Sequence, residues 1–187
     1  PRPAGRPSAD DKGYLAAEIR LTRGAKKISL MLLGLAAQKF QAKNENVLLG
    51  PGSGEILTHA VRAFTSPTKA LVTAWPSFEN PRDTAKKIGT PVREVALDGK
   101  LRIDIAKMVE ASKGAGLVFF CNPNNPTATV HGKSAVADMV KAIRAASPDT
   151  MILIDEAYHD YVTDPSYQTA VDIALSTPNV FVTRTFS

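Results

Sequence analysis

Polar and acidic side chains follow an apolar stretch at four places in this sequence. These are "GPGSGE" after "VLL", "CNPNNPT" after "GLVFF", "DEAYHDY" after "MILI" and "TRTFS" after "NVFV". If each apolar stretch is a strand of an open α/β sheet, ligands bind just beyond the carboxyl ends of those strands. The four segments therefore predict one site, assembled from residues that are far apart in the chain.

The glycine-rich segment at residues 50–57, "GPGSGEIL", could hold an anion. Glycines allow backbone N–H groups to approach an anion closely, and a helix that begins here adds a favourable dipole. Ser53 would add a hydroxyl donor. The segment is not a Walker loop, because no Gly-Lys-Ser/Thr follows. Taken alone, the same pattern is also typical of a plain turn between a strand and a helix.

Asp155 places a carboxylate at the end of a strand that is apolar throughout. A buried charge there is costly unless a cation or a metal compensates it. Asp155 could cap a helix, or it could pair with a protonated ring nitrogen. Together with Glu156, His159 and Asp160 it could also bind a metal. However, the spacing matches no common metal-binding motif, so we predict no metal site.

The aromatic residues and histidines carry weaker signals. Trp75 and Phe78 lie at the end of another predicted strand, where an aromatic ring either covers the core or stacks on a flat ligand. We expect no catalytic role for His59, His131 or His159.

Composition excludes several classes of protein. The 187 residues are 44% hydrophobic and 22% charged, as in ordinary globular domains. The net charge of +5 comes from scattered basic residues without interleaved aromatics, so we predict no nucleic-acid partner. With Cys121 as the single cysteine, no intrachain disulfide can form, which favours a reducing compartment.

Neither a membrane span nor a signal peptide is indicated. The longest apolar run, "ISLMLLGLAA" at residues 28–37, is interrupted by Ser29 and Gly34 and predicts a buried helix. The run is too short to cross a bilayer. The first residues are basic but are not followed by an apolar segment of the signal-peptide type.

From about residue 69, apolar strands alternate with helical stretches. Continuous apolar strands separated by helices predict an α/β fold with a mostly parallel sheet flanked by helices. Asp104 is the predicted N-cap of one of these helices. Residues 1–45 form a separate segment of helical pattern, and residues 46–187 form the α/β domain.

In their order and spacing, "GPGSGEIL", "WPSF", "NPNNPT", "DEAY" and "TRTFS" resemble the large domain of fold-type I, pyridoxal-phosphate-dependent aminotransferases. The resemblance is to class I/II and is strongest to histidinol-phosphate aminotransferase-like enzymes. It covers about residues 46–187 and implies the cofactor pyridoxal 5'-phosphate. It also implies that the large domain is incomplete here, with the small domain largely outside the sequence.

The resemblance implies roles for residues that would hold the cofactor phosphate. Gly52, Ser53 and Gly54 would bind it through backbone N–H groups and the serine hydroxyl. Thr185 and Ser187 would add further donors. In the family, the lysine that forms the Schiff base comes directly after the position of Ser187.

The remaining implied roles concern the cofactor ring. Phe78 would lie on the face of the ring, while Asn125 and Tyr158 would hydrogen-bond its phenolic oxygen. Asp155 would pair with the protonated ring nitrogen and keep the ring electron-withdrawing. Asp155 and Tyr158 are thus the predicted catalytic residues in this sequence. A cis peptide bond is expected between Asn125 and Pro126.

Two departures from the family pattern stand out. Ala128 replaces the glycine that usually follows "NPT", so the local turn should differ slightly. No tyrosine stands in the "RLTRG" region, where relatives often supply one to the neighbouring subunit's cofactor phosphate. The missing tyrosine bears on the substrate more than on the cofactor.

The predicted function is transfer of an amino group between an amino acid or an amine phosphate, such as histidinol phosphate, and a 2-oxo acid such as 2-oxoglutarate. The alternatives are a lyase or decarboxylase that uses the same cofactor and fold, and a non-catalytic cofactor-binding regulatory domain. The resemblance further implies a homodimer, and the expected location is cytoplasmic.

Overall fold

Helices and strands alternate along the chain, as the sequence predicts. The computed structural model describes residues 23–185. The helices are α1 (Arg23–Lys39), α2 (Ser53–Phe64), α3 (Asn80–Lys87), α4 (Ile105–Ala111), α5 (Lys133–Ala146) and α6 (Val171–Ser176). The strands are β1 (Leu71–Trp75), β2 (Val92–Ala96), β3 (Leu117–Cys121), β4 (Met151–Asp155) and β5 (Val180–Thr183). Short 3-10 turns occupy Asn44–Asn46 and His159–Tyr161.

The five strands form one sheet in the order β2-β1-β3-β4-β5. Every neighbouring pair is parallel, which confirms the predicted α/β fold with a parallel sheet. The chain runs from β1 to the edge strand β2 and then returns to the other side of β1. The strand order therefore reverses between β1 and β3, and ligands in this class of fold bind beside such a switch point.

Side chains alternate between the two faces of the sheet, because successive residues of a strand point to opposite sides. On one face, Leu117, Phe119, Cys121 and Leu153 pack with helices α2 and α3. On the other face, the intervening residues of β3 and β4 pack with α4 and α5. Asp155 follows Leu153 by two positions and therefore belongs to the α2 face.

The starts of two helices agree with their sequence signals. Asp104 caps α4, and its Oδ1 accepts a 3.1 Å hydrogen bond from the Lys107 N–H. Pro81 lies in the first turn of α3, where its missing N–H removes no intrahelical hydrogen bond.

The chain divides into two compact units, with Gly50 at the end of the first. Within the first unit, two predictions are wrong. Residues 47–49, "VLL", form no strand, because no neighbouring segment pairs with them. The apolar run at residues 28–37 is helical, but among its described side chains Leu30, Met31 and Leu35 are about 60% exposed and only Ala37 is buried. No helix in the described part of the chain is both long and apolar enough to span a membrane.

Candidate active site

A cavity of about 220 Å³ opens at the carboxyl ends of the strands, on the α2 face of the sheet. Six residues that the sequence analysis assigned to the site line it together, namely Ser53, Phe78, Asn125, Asp155, Tyr158 and Thr185. Cys121 and Ala157 complete the lining and were not predicted. Side chains separated by up to 132 positions thus meet around one space, as the strand-end argument requires.

Helix α2 begins at this cavity. Gly52 precedes the helix with a φ of 122°, in the left-handed region that favours glycine. Ser53 is the first helical residue, and no side chain caps the helix start. The first N–H groups of a helix lack partners within it and carry partial positive charge. The start of α2, with Ser53, is therefore suited to an anionic group. Gly52 and Gly54 flank the lining residue Ser53.

Asp155 is the last residue of β4 and is 3% exposed. Its Oδ1 accepts a 2.7 Å hydrogen bond from the Thr183 hydroxyl, and the Cys121 thiol lies 4.0 Å from its Oδ2. Neither of these neighbours is cationic. Asp155 is thus a buried carboxylate that faces a cavity, and no ion pair to it is found among residues 23–185. It does not cap a helix, since the residues that follow it form a turn.

The surroundings of Asp155 determine its ionisation. Burial raises the pKa of its carboxyl to about 6, and the nearby charge of Glu156 adds to that rise. Hydrogen bonds from Thr183 and from the Ala157 N–H act in the opposite direction. A cation placed in the cavity would lower this pKa again, because an opposite charge favours the ionised form.

Cys121 ends β3 beside Asp155 and is buried. Burial, with the charge of Asp155 as a second cause, raises the pKa of its thiol to about 12. Its thiol donates to the Pro123 carbonyl oxygen at 3.2 Å. Cys121 therefore contributes a neutral, weakly polar wall to the cavity.

Two of the three asparagines in "NPNNPT" bind the protein itself. Asn122 uses its side chain to bond both the N–H and the carbonyl oxygen of His131, at 2.8 and 3.0 Å. Asn124 accepts a 2.7 Å hydrogen bond from Ser77 and donates to the Pro76 carbonyl oxygen at 3.2 Å. These bonds tie the loop after β3 to residues 76–77, which follow β1, and to His131 further along the chain. Asn125 alone of the three lines the cavity.

The loop geometry includes three cis peptide bonds, at Trp75–Pro76, Asn122–Pro123 and Asn125–Pro126. The bond predicted between Asn125 and Pro126 is among them. Ala128, at the position where the family pattern has glycine, adopts a φ of 55°. Its N–H donates to the Asn124 carbonyl oxygen at 2.8 Å, so the turn keeps a left-handed residue even without glycine.

Tyr158 is 47% exposed and stands between two cavities. The second cavity, of about 410 Å³, shares Asn125 and Tyr158 with the first. The loops after β3 and β4 contribute its walls, including Pro126, Val130 and Tyr161. Asn125 and Tyr158 thus form the boundary between the buried cavity and a wider space.

The three histidines do not line the cavity around Asp155. His59 contacts Glu55 on the surface of α2 at 3.3 Å. His131 packs on Phe120, and burial lowers the pKa of its imidazole. His159 contacts the Tyr167 hydroxyl at 3.2 Å.

Two further sequence-based considerations concern Ser187 as a phosphate donor and the acidic residues near Asp155 as metal ligands. Ser187, proposed as a phosphate donor, lies outside the described residues. Among residues 23–185, no three His, Cys, Asp or Glu side chains come together in a group that could hold a metal. Glu156, considered with Asp155 as a metal ligand, instead accepts a hydrogen bond from Arg184.

Sequence reasoning missed Thr183, which holds Asp155, and Cys121, which lies beside it. The period of two along a strand could have found Thr183, because it lies two positions before Thr185. Cys121 could have been found from its place at the last position of its strand.

Comparison with known proteins gives a consistent result. The family model described as "Aminotransferase class I and II" matches residues 22–187. Histidinol-phosphate aminotransferase of Moorella thermoacetica is 35% identical over 153 residues, covering 81% of this chain and 39% of that protein. Aromatic amino acid aminotransferase of Thermobifida fusca is 35% identical over 161 residues, covering 83% of this chain and 43% of that protein. The chain therefore spans about two-fifths of the length of these relatives.

A solved structure shares the fold. Histidinol-phosphate aminotransferase from Sinorhizobium meliloti, in complex with pyridoxal-5'-phosphate, superimposes with a TM-score of 0.76 at 23% identity. The match covers 84% of this chain and 42% of that one.

Proposed function

Since this chain belongs to the class I and II aminotransferases, we propose that it binds pyridoxal 5'-phosphate at the cavity around Asp155 and serves amino-group transfer. The observation that carries the proposal is the buried carboxylate of Asp155 at the cavity, for which the described part of the chain provides no cationic partner. A protonated pyridine nitrogen supplies the missing positive charge. The start of α2 provides the complementary site for a phosphate group.

Each residue around the cavity has a proposed task. The Ser53 hydroxyl and the first N–H groups of α2 would bind the phosphate, with Thr185 as a further donor. Phe78 would lie against the ring, and Asn125 and Tyr158 would bond its phenolic oxygen. The lysine expected directly after Ser187, which would move the substrate proton, belongs to the same proposal, as does the assignment of residues 46–187 to an incomplete cofactor-binding domain.

When bound, the cofactor supplies an electron-accepting ring that stabilises the charge left on a substrate carbon after it loses a proton. Asp155 supports that role by keeping a proton on the ring nitrogen. Thr183 holds the Asp155 carboxylate in place through its 2.7 Å hydrogen bond. The half-exposed Tyr158, at the boundary with the wider cavity, would meet the incoming amino donor.

The proposed amino donor is histidinol phosphate or an aromatic amino acid, with 2-oxoglutarate as the acceptor. Support comes from the names of the two relatives above, whose donors both carry a flat ring. We also propose that the protein is a homodimer in the cytoplasm, as the resemblance implies. Sedimentation of the purified protein would test the dimer.

The function is tested in the complete protein with each donor and 2-oxoglutarate, by following the formation of glutamate. Glutamate formation that requires pyridoxal 5'-phosphate supports the transferase. Release of ammonia or carbon dioxide without glutamate would instead support a lyase or decarboxylase. Cofactor binding with no turnover of any donor would favour a regulatory role.

A further inference from the structure

Two residue pairs on the neighbouring strands β4 and β5 lie back to back. Asp155 and Thr183 are register partners, and both belong to the face of the sheet that carries the cavity. The next residues, Glu156 and Arg184, form an ion pair with a distance of 3.1 Å between Nε and Oε2. Because side chains alternate, this second pair lies on the opposite side from the first.

Glu156 lies on that opposite side and is buried, with a side chain that is 1% exposed and that contacts several residues. Besides Arg184, its carboxylate accepts hydrogen bonds from the Thr169 hydroxyl at 2.7 Å and the Ala170 N–H at 2.6 Å. Its own N–H donates to the Thr183 carbonyl oxygen at 2.9 Å. Glu156 thus joins the end of β4 to the end of β5 and to the start of α6.

Arg184 stands between two residues of the proposed cofactor site. Thr183 precedes it and bonds Asp155, while Thr185 follows it and lines the cavity. Any movement of the Arg184 backbone would shift both threonines. A contact that holds Arg184 on the opposite side of the sheet therefore also holds Thr183 and Thr185 at the cavity.

We propose that the Glu156–Arg184 ion pair is a positioning element for the cofactor site. The pair holds Thr183 and Thr185 in place, and its Arg184 charge offsets the negative charge that Glu156 places near Asp155. The inference rests on the proposed binding of pyridoxal 5'-phosphate. It assigns to the second residue of "DEAY" a function that is distinct from metal binding and from contact with the cofactor.

The charges around Asp155 make the proposal testable. Cys121 from β3 and Tyr158 from the loop after β4 face the same cavity as Asp155. Behind the sheet, Arg184, His159 and Tyr167 surround Glu156. The negative charge of Glu156 raises the pKa of Asp155. Because Arg184 lies 3.1 Å from the Glu156 carboxylate, its positive charge should offset that effect.

The two charges of the pair should therefore be separable by substitution. Arg184→Met leaves the Glu156 charge uncompensated, whereas Glu156→Gln removes that charge and keeps an oxygen that accepts hydrogen bonds. A protonated Asp155 carries no negative charge to pair with a protonated ring nitrogen, so cofactor affinity falls as pH drops through the pKa of Asp155. The midpoint of that fall should move up in Arg184→Met and down in Glu156→Gln.

The readout is quenching of tryptophan fluorescence as pyridoxal 5'-phosphate is added to the complete protein, and Trp75 is the single tryptophan among the 187 residues. Trp75 ends β1, three residues before the cavity residue Phe78. Titrations would run from about pH 5 to about pH 8, across the expected midpoint. We expect Arg184→Met to weaken binding roughly twofold at neutral pH, because a rise of about one unit from a pKa of about 6 would leave about half of the Asp155 carboxyls ionised at pH 7.

Three further variants keep the test sharp. Arg102→Met removes an exposed arginine that pairs with Asp98, and it should leave the midpoint in place. Arg184→Lys retains the charge and should restore the midpoint. If Arg184→Met does not fold, the double variant Glu156→Gln/Arg184→Met, which buries no unpaired charge, takes its place and should lie near the wild-type midpoint.

Midpoints that stay unchanged, or that move in the same direction in both single variants, would overturn the positioning role while leaving cofactor binding intact. Wild-type protein that shows no quenching by pyridoxal 5'-phosphate would instead overturn the proposed function, and this inference with it.

Discussion

The Thr183 hydroxyl donates a 2.7 Å hydrogen bond to Asp155 Oδ1, and the two residues face each other as partners on adjacent parallel strands. This bond favours the ionised form of a carboxylate whose pKa burial raises to about 6. A hydroxyl on β5 therefore helps to keep the charge of a residue on β4.

Replacing that hydroxyl should weaken the proposed cofactor site. In Thr183→Val the shape is nearly retained and the donor is lost, so the pKa of Asp155 should rise further. We expect affinity for pyridoxal 5'-phosphate to fall roughly threefold to tenfold at neutral pH, in line with the loss of one hydrogen bond that contributes about 0.5 to 1.5 kcal/mol. Quenching of Trp75 fluorescence during titration with pyridoxal 5'-phosphate would measure the affinity. Thr183→Ser, which keeps the donor, should bind nearly as well as wild type, and equal losses in both variants would contradict the explanation.

Asp155 should make the cofactor-free protein less stable as pH rises. The folded-state pKa of about 6 lies above the ordinary value of 3.8. The folded protein therefore binds a proton more readily than the unfolded chain, and the associated stability is present below about pH 4 and lost through about pH 6. Asp155→Asn should abolish this loss and should be more stable than wild type at neutral pH by about 1 to 3 kcal/mol.

Urea unfolding of both cofactor-free proteins at acidic and neutral pH would measure the difference. The same variant should bind pyridoxal 5'-phosphate poorly, because the ring nitrogen loses its anionic partner. If Asp155→Asn were less stable than wild type at neutral pH, the buried Asp155 carboxylate would not be destabilising.

Truncation of Asn124 should mainly lower stability, whereas truncation of Asn125 should mainly weaken cofactor binding. Asn124 is 2% exposed and makes hydrogen bonds to Ser77, Pro76 and Thr127, so Asn124→Ala should lower the free energy of unfolding by about 2 to 4 kcal/mol. Asn125→Ala should change stability little and should weaken cofactor binding. Unfolding curves and Trp75 quenching on both variants separate the two roles. Comparable stability losses in both would contradict the division.

Ala128→Gly should stabilise the protein. Ala128 holds a φ of 55°, which costs a residue with a Cβ about 1 to 2 kcal/mol relative to glycine. Glycine offsets part of that gain through its larger unfolded-state entropy, so we expect a net gain of about 0.5 to 1 kcal/mol.

The matched control is Ala137→Gly, the same chemical change within α5, which should destabilise by about 1 kcal/mol. Thermal unfolding of both variants would give effects of opposite sign. A destabilising Ala128→Gly would mean that the turn does not require left-handed backbone.

Much of the fold could be predicted because β3 and β4 are apolar throughout and each ends in a polar residue. Asp155 could be placed at the site for the same reason, whereas Asn125 was singled out by the resemblance alone. By contrast, the sequence does not distinguish Asn122 and Asn124 from Asn125, because only the path of the loop decides which amide faces the cavity.

The two wrong predictions in the first unit have a common cause. A strand at residues 47–49 needs a pairing partner, and burial of α1 needs another element to cover it. The apolar character of a segment indicates that its burial or pairing would be favourable. It does not show whether another segment lies close enough to bury it or to pair with it. Thr183 was missed for a related reason, since its role depends on its register against Asp155.

The back-to-back arrangement of Asp155 with Glu156 also bears on how this family can change over time. Substitution at either position leaves the other side chain on its own side of the sheet. Deletion of a single residue within β4 would instead exchange the two faces and aim Glu156 toward the cavity. Lineages that carry this site should therefore tolerate conservative substitutions in β4 and β5 better than insertions or deletions there, and should gain or lose residues mainly in the loops.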